Sequence, residues 1–215
     1  REEFGTYMNI DANGRVTDIE VEPTRPNLDY TYMEVVVMKR ELLRFLVDKA
    51  VAHGLHDFRR DVLLAMVQEG KARVNAWEYT GPCWRLDSVQ SFFKFNMDVL
   101  NADERSNLFS KDMPVYTKVR DDMPVVYGIS SCCQNSLIAD GCQIEGTVKN
   151  SIVFRGARVA KGAVVENSIL MQDAFVGEDA KLNCVIMDKN TMITPKKVLS
   201  GDKSYPLFVG KDIVI

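Results

Sequence analysis

The sequence predicts the later portion of an α/β domain followed by a left-handed parallel β-helix of hexapeptide-repeat type. Three observations carry this expectation. Four segments start alike, at Asn135-Ser136-Leu137-Ile138, Asn150-Ser151-Ile152-Val153, Asn167-Ser168-Ile169-Leu170 and Asn183-Cys184-Val185-Ile186, with the Asn residues 15, 17 and 16 apart. A second apolar marker keeps nearly the same beat, at Ile144, Val159, Val176 and Ile193, spaced 15, 17 and 17. Ahead of these repeats, apolar strand-like runs alternate with amphipathic helical ones. A short fixed period is the signature of a stacked architecture, in which no unit can bury its own apolar face but neighbouring coils share one interior. Val159-Ala160-Lys161-Gly162-Ala163-Val164 and Val176-Gly177-Glu178-Asp179-Ala180-Lys181 are close to one hexapeptide, with a β-branched residue, small corner residues and a tight turn. The competing reading is a sandwich with accidental self-similarity. The expected division is residues 1–105 for the α/β portion, 106–130 for a connector and 131–215 for the β-helix.

Taken in order, Tyr7–Ile10 and the alternating run Arg15–Glu22 flank Asn13-Gly14, a strong short-range hairpin signal. A hairpin with no strand–helix unit before it is expected of the second part of an α/β domain. Tyr32–Met38 is nearly continuously apolar, which predicts a central strand buried on both faces. A helix is expected from about Arg40 to His53, its apolar side marked by Leu42, Leu43, Phe45, Leu46, Ala50 and Val51, with Gly54 at its end. Asp57 is placed to cap a second helix over Phe58–Glu69, and Ala72–Tyr79 alternates as a strand does. After the turn Thr80-Gly81-Pro82-Cys83-Trp84, Asp87 or Ser88 caps a helix to about Asn101 that is apolar nearly all round and so expected to be sandwiched. Asp103–Ser131, with Met113-Pro114 and Met123-Pro124, reads as a surface connector. Inward-pointing coil residues are expected to be Leu137, Ile144, Ile152, Val159, Val164, Ile169, Val176, Val185 and Ile193.

Composition narrows the function classes. The chain has 215 residues, 46% apolar and 27% charged, as ordinary globular proteins do. A net charge of −3 with scattered Lys and Arg gives no reason to expect nucleic acid. No run is long and apolar enough for a membrane helix, and Arg1-Glu2-Glu3-Phe4 does not open a secretory signal. The five cysteines, Cys83, Cys132, Cys133, Cys142 and Cys184, contain no Cys-x-x-Cys pair and are expected to be reduced, mostly buried thiols of a cytoplasmic protein. His53 and His56 lie far from them in sequence, so no zinc site is expected.

Local motifs add a resemblance that covers essentially the whole chain. His56-Asp57-Phe58-Arg59-Arg60-Asp61 resembles a Ser-His-Asp-Phe-Gly-Lys-Asp block of the bacterial glucose-1-phosphate adenylyltransferases (ADP-glucose pyrophosphorylases). Gly81-Pro82-Cys83-Trp84-Arg85-Leu86-Asp87-Ser88-Val89 resembles that family's Gly-Tyr-Trp-Arg-Asp-Val-Gly-Thr block, and Asn96-Met97-Asp98 with Leu100 its Ala-Asn-Met-Asp-Leu helix. Asn135–Ile138 with Gly141-Cys142 and Gly146-Thr147-Val148 is similar to its first coil. The resemblance implies a reaction that joins glucose 1-phosphate to ATP and releases pyrophosphate, with Mg²⁺ neutralising charge and cations holding the sugar phosphate.

The matched positions depart from that pattern. Leu86 stands where the family has a metal-binding Asp, and a hydrocarbon side chain cannot ligate Mg²⁺. Val21-Glu22-Pro23 stands where the family's Glu-Lys-Pro contacts the sugar phosphate through its Lys, so Glu22 has the wrong sign. Tyr32-Met33-Glu34 replaces Ser-Met-Gly. The family's Gly-rich nucleotide loop would lie upstream of Arg1. The substrate-binding positions carried over are therefore degenerate: Glu22, Tyr32, Trp84, Arg85 and Asp87, with no catalytic residue, no metal ligand and no cofactor in this chain, Mg²⁺ belonging to the family reaction. These losses resemble the D-type subunit that some bacteria pair with a catalytic subunit. That implies a cytoplasmic regulatory or assembly subunit in glycogen synthesis, whose partners are a catalytic adenylyltransferase subunit, copies of itself, or both.

Each of these residues also has a plainer reading. Trp84 serves equally as packing under a turn, Arg85 and Asp87 as a solvated pair, and His53 and His56 as polar surface residues. Arg59, Arg60, Arg155 and Arg158 are candidates to face an anion. An active nucleotidyltransferase that recruits Asp87 for metal is a competing function. A hexapeptide acyltransferase is another, but such enzymes use a His on the coils as general base and residues 131–215 contain none. A purely structural oligomerisation module is the fourth.

Overall fold

The computed structural model describes residues 5–215 apart from Lys71, Pro82 and Met113. The reading of Arg1–Phe4, and the Pro82 and Met113 positions of the motifs above, lie outside the described residues. The chain forms two compact units, Arg1–Thr80 and Gly81–Ile215.

In the first unit, β1 (Thr6–Ile10) and β2 (Val16–Val21) form the expected antiparallel hairpin. Its turn is held by Asp11, whose Oδ1 accepts from the amides of Asn13 (2.8 Å) and Arg15 (2.9 Å), while Gly14 takes φ 76°. A short β3 (Tyr30–Thr31) pairs with β1 on its other side. Helix α1 runs Arg40–Ala52, with His53 at its C-cap. Asp57 caps the next helix through Oδ1, which accepts from the amides of Arg59 and Arg60. That helix starts as a π-helical stretch, Phe58–Leu64, and continues as α2 (Ala65–Gln68). Met8, Val16, Ile19 and Leu63 form the small core, with Val21, Tyr32, Phe58 and Val67 around it.

Three expectations fail in this unit. Residues 32–38 are not a buried central strand; Val35 is 74% and Val37 96% exposed. A strand needs hydrogen-bonded neighbours, and among the described residues none runs along this segment. Likewise only Leu46 of the apolar face of α1 is buried. Residues 72–79 contribute a single bridge, Arg15 to Asn75, instead of a strand.

In the second unit, Ser88 caps α3 (Val89–Asp98) with a reciprocal capping box to Ser91. Helix α4 (Ala102–Leu108), capped by Asn101, occupies part of the expected connector. The coil strands begin at Val126, ahead of residue 131. They build three parallel five-stranded sheets, the architecture that the repeats predict. Sheet one stacks Val126–Tyr127, Gln143–Ile144, Arg158–Val159, Phe175–Val176 and Met192–Ile193. Sheet two stacks Cys132–Gln134, Thr147–Lys149, Val164–Glu166, Lys181–Asn183 and Val198–Ser200. Sheet three stacks Leu137–Ile138, Ile152–Val153, Ile169–Leu170, Val185–Met187 and Leu207–Val209.

The Asn-Ser repeat has a physical cause. Asn135, Asn150, Asn167 and Cys184 occupy one corner with φ of 44° to 53°, left-handed backbone that Asn tolerates better than most residues. The fourth corner residue is thus Cys184, not Asn183, and the spacing becomes 15, 17 and 17, identical to that of the Ile144 column. The serine after each Asn links coils: Ser151 N donates to Ser136 Oγ (3.2 Å), Ser168 N to Ser151 Oγ (3.1 Å) and Val185 N to Ser168 Oγ (3.1 Å). Each hydroxyl in turn donates to the carbonyl two residues back, so the buried Ser151 and Ser168 are satisfied.

Ile144, Val159, Val176, Val185 and Ile193 point into the coil core as expected. Leu137, Ile152, Val164 and Ile169 do not; their following neighbours Ile138, Val153, Val165 and Leu170 take the inner places. Adjacent strand residues face opposite ways, and here both members of each pair are apolar, so the pattern cannot tell inside from outside. Sheet three tolerates outward aliphatics because α3 covers them: Phe93, 3% exposed, packs on Ile169, Cys184 and Ile186. The five cysteines are free thiols, but only Cys142 and Cys184 are buried. Cys83, Cys132 and Cys133 are exposed, Cys132 and Cys133 because they lie on the end strand of a sheet with no further coil beyond them.

Candidate functional site

The structure places the sequence-predicted residues in two groups. In the first unit, Tyr32, Glu34, His56, Asp57, Phe58 and Arg59 line an open cleft. The end of β2 and the turn after β3 bring Glu22 and Glu34 to it, and both adopt left-handed backbone, φ 51° and 60°. Arg59 reaches from the first turn of the π-helical stretch into this group. Its Nη2 donates to Glu22 Oε1 at 3.0 Å and to Asp57 Oδ2 at 3.4 Å, and its Nη1 donates to Glu34 Oε1 at 3.4 Å. Arg60 Nη2 donates to the other Glu22 oxygen at 3.4 Å. Glu22 therefore bridges two neighbouring guanidinium groups. Asp61 Oδ2 accepts from the amides of His56 and Asp57 and fixes the loop ahead of the helix.

The electrostatics follow from these contacts. Burial would raise the Asp57 carboxyl, but the amides of Arg60 and Arg59 and the Arg59 guanidinium outweigh it and hold the group below its ordinary value. Burial pushes the Tyr32 phenol up and the Glu34 carboxylate pushes it further, with Arg59 opposing. The cleft thus carries arginines already paired with carboxylates instead of a free cationic surface. Sequence reading singled out Glu22, Tyr32 and Arg59 but not Glu34 as a partner of Arg59. The signal available was the exchange of Gly for Glu34 in the Tyr32-Met33-Glu34 match.

Trp84, Arg85 and Asp87 belong to the second unit, in the run that enters α3. The Trp84 ring meets Phe95 edge-on, centroids 5.1 Å apart, and its indole N–H donates to Asp98 Oδ2 at 3.4 Å. Asp98 also takes Lys94 Nζ at 2.6 Å. Arg85 Nε lies 3.7 Å from Asp87 Oδ2, and Asp87 Oδ1 accepts from Ser91 Oγ at 3.2 Å. Leu86 between them is 54% exposed. The side chains therefore do not fit a bound Mg²⁺ here: the matched position offers a hydrocarbon, and the neighbouring carboxylate is engaged with the Arg85 guanidinium and the Ser91 hydroxyl. Arg155 Nε lies 3.7 Å from Asp122 Oδ2.

Residues 126–205 match the family described as GlmU-like, C-terminal hexapeptide. The chain is 30% identical over 191 residues to a glucose-1-phosphate adenylyltransferase of Acetivibrio thermocellus, covering 86% of this chain and 44% of that protein. It is 31% identical over 193 residues to the glucose-1-phosphate adenylyltransferase of Desulfitobacterium hafniense strain Y51, covering 88% and 48%. A glucose-1-phosphate adenylyltransferase of Bacillus thuringiensis strain Al Hakam is 27% identical over 203 residues, covering 94% and 54%. The chain spans about half the length of the curated relatives it matches. No helix among the described residues is long and apolar enough to cross a membrane.

Proposed function

We propose that this chain is part of a cytoplasmic subunit of a glucose-1-phosphate adenylyltransferase that assembles with, and modulates, a catalytic subunit, and that it does not itself turn over ATP and glucose 1-phosphate. The run Trp84-Arg85-Leu86-Asp87 carries the reading. A transfer between two phosphates needs metal charge and fixed cations at the transferring group, each worth several kcal/mol. The exposed Leu86 supplies no oxygen, and Asp87 is spent on Arg85 and Ser91. Glu22 supports the same reading, since it presents a carboxylate where the resembled family presents a Lys to the sugar phosphate.

Assembly is supported by one end of the coil stack. At its start Val126, Tyr127 and Ile129 are exposed. Uncovered strand edges with apolar side chains favour a further protein surface.

The test is pyrophosphate release by the protein encoded by the full reading frame, with ATP, Mg²⁺ and glucose 1-phosphate, alone and mixed with a catalytic subunit. The expected result is negligible release alone and a changed rate or effector response in the mixture. Robust release by the protein alone overturns the non-catalytic reading. A partner that behaves identically with and without it overturns the regulatory one.

A further inference from the structure

We propose that the groove between α3 and the asparagine corner of the coils binds a neutral oligosaccharide of two or three pyranose rings. Left-handed backbone explains why Asn stands at these corners, but it leaves the side-chain amides of Asn135, Asn150 and Asn167 to be accounted for. Those three residues line a groove of about 550 Å³ together with Met97 and Leu100 on the α3 side and Lys203 on the other. A space of this size with an apolar wall and a few polar groups is what small-molecule sites share. Lys203 comes from the loop between strands Val198–Ser200 and Leu207–Val209, and that loop is fixed by its own bonds. Asp202 and Tyr205 exchange backbone hydrogen bonds at 3.1 and 3.0 Å, and Asp202 Oδ1 accepts from the amide and the hydroxyl of Ser204. The groove lies within the second unit, whereas the Arg59 cleft belongs to the first, and ligand binding here is independent of whether the chain turns over substrate.

The amide column selects the ligand chemistry because it is only half bonded. Asn135 Nδ2 donates to Asn150 Oδ1 at 2.8 Å, and Asn167 Nδ2 donates to Asn183 Oδ1 at 2.9 Å. Asn150 and Asn167 follow the paired strands Thr147–Lys149 and Val164–Glu166, so they are neighbours across one coil step. Among the described residues their two amides make no bond to each other, which leaves a donor, Asn150 Nδ2, and an acceptor, Asn167 Oδ1, on adjacent coils. A hydroxyl accepts from the first and donates to the second through one atom, and it does so whichever way the carboxamides are turned. An ionised phosphate brings no proton for the Asn135 and Asn167 oxygens. Lys94, also in the groove, is held by Asp98 at 2.6 Å, so Lys203 is the unpaired cation there among the described residues and a donor to a further hydroxyl. Adjacent coils are about 4.8 Å apart, close to the width of a pyranose ring. One ring therefore reaches one step of the column, and linked rings reach all three amides with their C–H faces along Met97 and Leu100.

Asn150→Asp is the variant to make. A carboxylate keeps the oxygen that accepts from Asn135 and tolerates the left-handed corner, but it no longer donates. Parent and variant are titrated by calorimetry with maltotriose, cellotriose, glucose and inorganic phosphate, with circular dichroism confirming the fold of each. The expected result is that one trisaccharide binds the parent at least about tenfold tighter than glucose does, and that Asn150→Asp weakens this binding about fivefold or more, as the loss of one or two hydrogen bonds requires. The trisaccharide that binds more tightly identifies the linkage the groove prefers. The proposal is overturned if neither trisaccharide binds, if glucose binds as tightly, or if a folded Asn150→Asp binds as the parent does. Phosphate binding that the variant weakens, with no sugar binding, makes the groove an anion site and overturns it as well. Should Asn150→Asp fail to fold, Asn150→Gly suits the φ of 45° while removing the whole amide, and is read the same way.

Discussion

Replacing Val165 by Asp should strongly destabilise the coil stack, while the same change one residue earlier, Val164→Asp, should hardly affect it. Val165 is fully buried, in register between Val148 and Leu182, which are buried as well. Losing its burial costs about 1.5–3 kcal/mol. An unpaired carboxylate in an apolar stack adds several kcal/mol, for a total above about 4 kcal/mol, or a melting shift of about 10 °C or more in a chain of this size. Val164 faces the other way and pairs with Lys181 in the neighbouring coil, so Asp there meets an opposite charge and should cost about 1 kcal/mol or less. The buried acid also sets a pH signature. Burial raises its folded-state value above the unfolded one, so protonation relieves it, and the loss should be greatest near neutral pH and shrink as pH falls toward the ordinary carboxylate range. Melting followed by circular dichroism at several pH values, for both variants, is the assay. Equal losses for the two would refute the inner and outer assignment, and a Val165→Asp protein that melts like the parent would refute the coil register altogether.

Phe93→Ala should cost about 3–5 kcal/mol and uncover Cys184, whose thiol burial holds above its usual value, so its reaction with an aromatic disulfide reagent should accelerate. Asp57→Asn keeps a capping oxygen but removes its charge, so it should weaken the start of the Phe58–Leu64 turn by about 0.3–1 kcal/mol. Because the Asp57 carboxyl is depressed in the folded state, its charge-dependent stabilisation should be present above the ordinary carboxylate range and fade as pH falls below it, so parent and variant should converge in urea unfolding at low pH. Arg59→Met removes the cation that opposes burial and Glu34 at Tyr32, and the phenol should titrate higher than in the parent by ultraviolet absorbance.

Much of the architecture was legible because local chemistry dictates it. The Asn residues before Ser136, Ser151 and Ser168 tolerate left-handed backbone, so the corners of the stack could be counted from the sequence. Asp57 and Ser88 announce helix starts through short-range bonds to amides two and three residues on. Asn13-Gly14 announces the hairpin for the same reason.

What only the tertiary structure decided depends on residues far apart in the chain. Period-2 patterning reveals a face only when the other face is wet, and α3 keeps Ile169 and Ile186 dry, so Leu170 could not be separated from Ile169 by sequence alone. Tyr32–Met38 looks like a central strand by composition, yet hydrogen-bonded partners decide strands, and among the described residues no strand lies alongside Met33–Met38. Within the cleft, the sequence shows a Glu where a Lys is expected in the resembled family. It cannot show that Arg59 crosses 37 residues of chain to meet Glu22 and 25 to meet Glu34, because an ion pair is set by where the fold brings two charges and not by their separation in sequence.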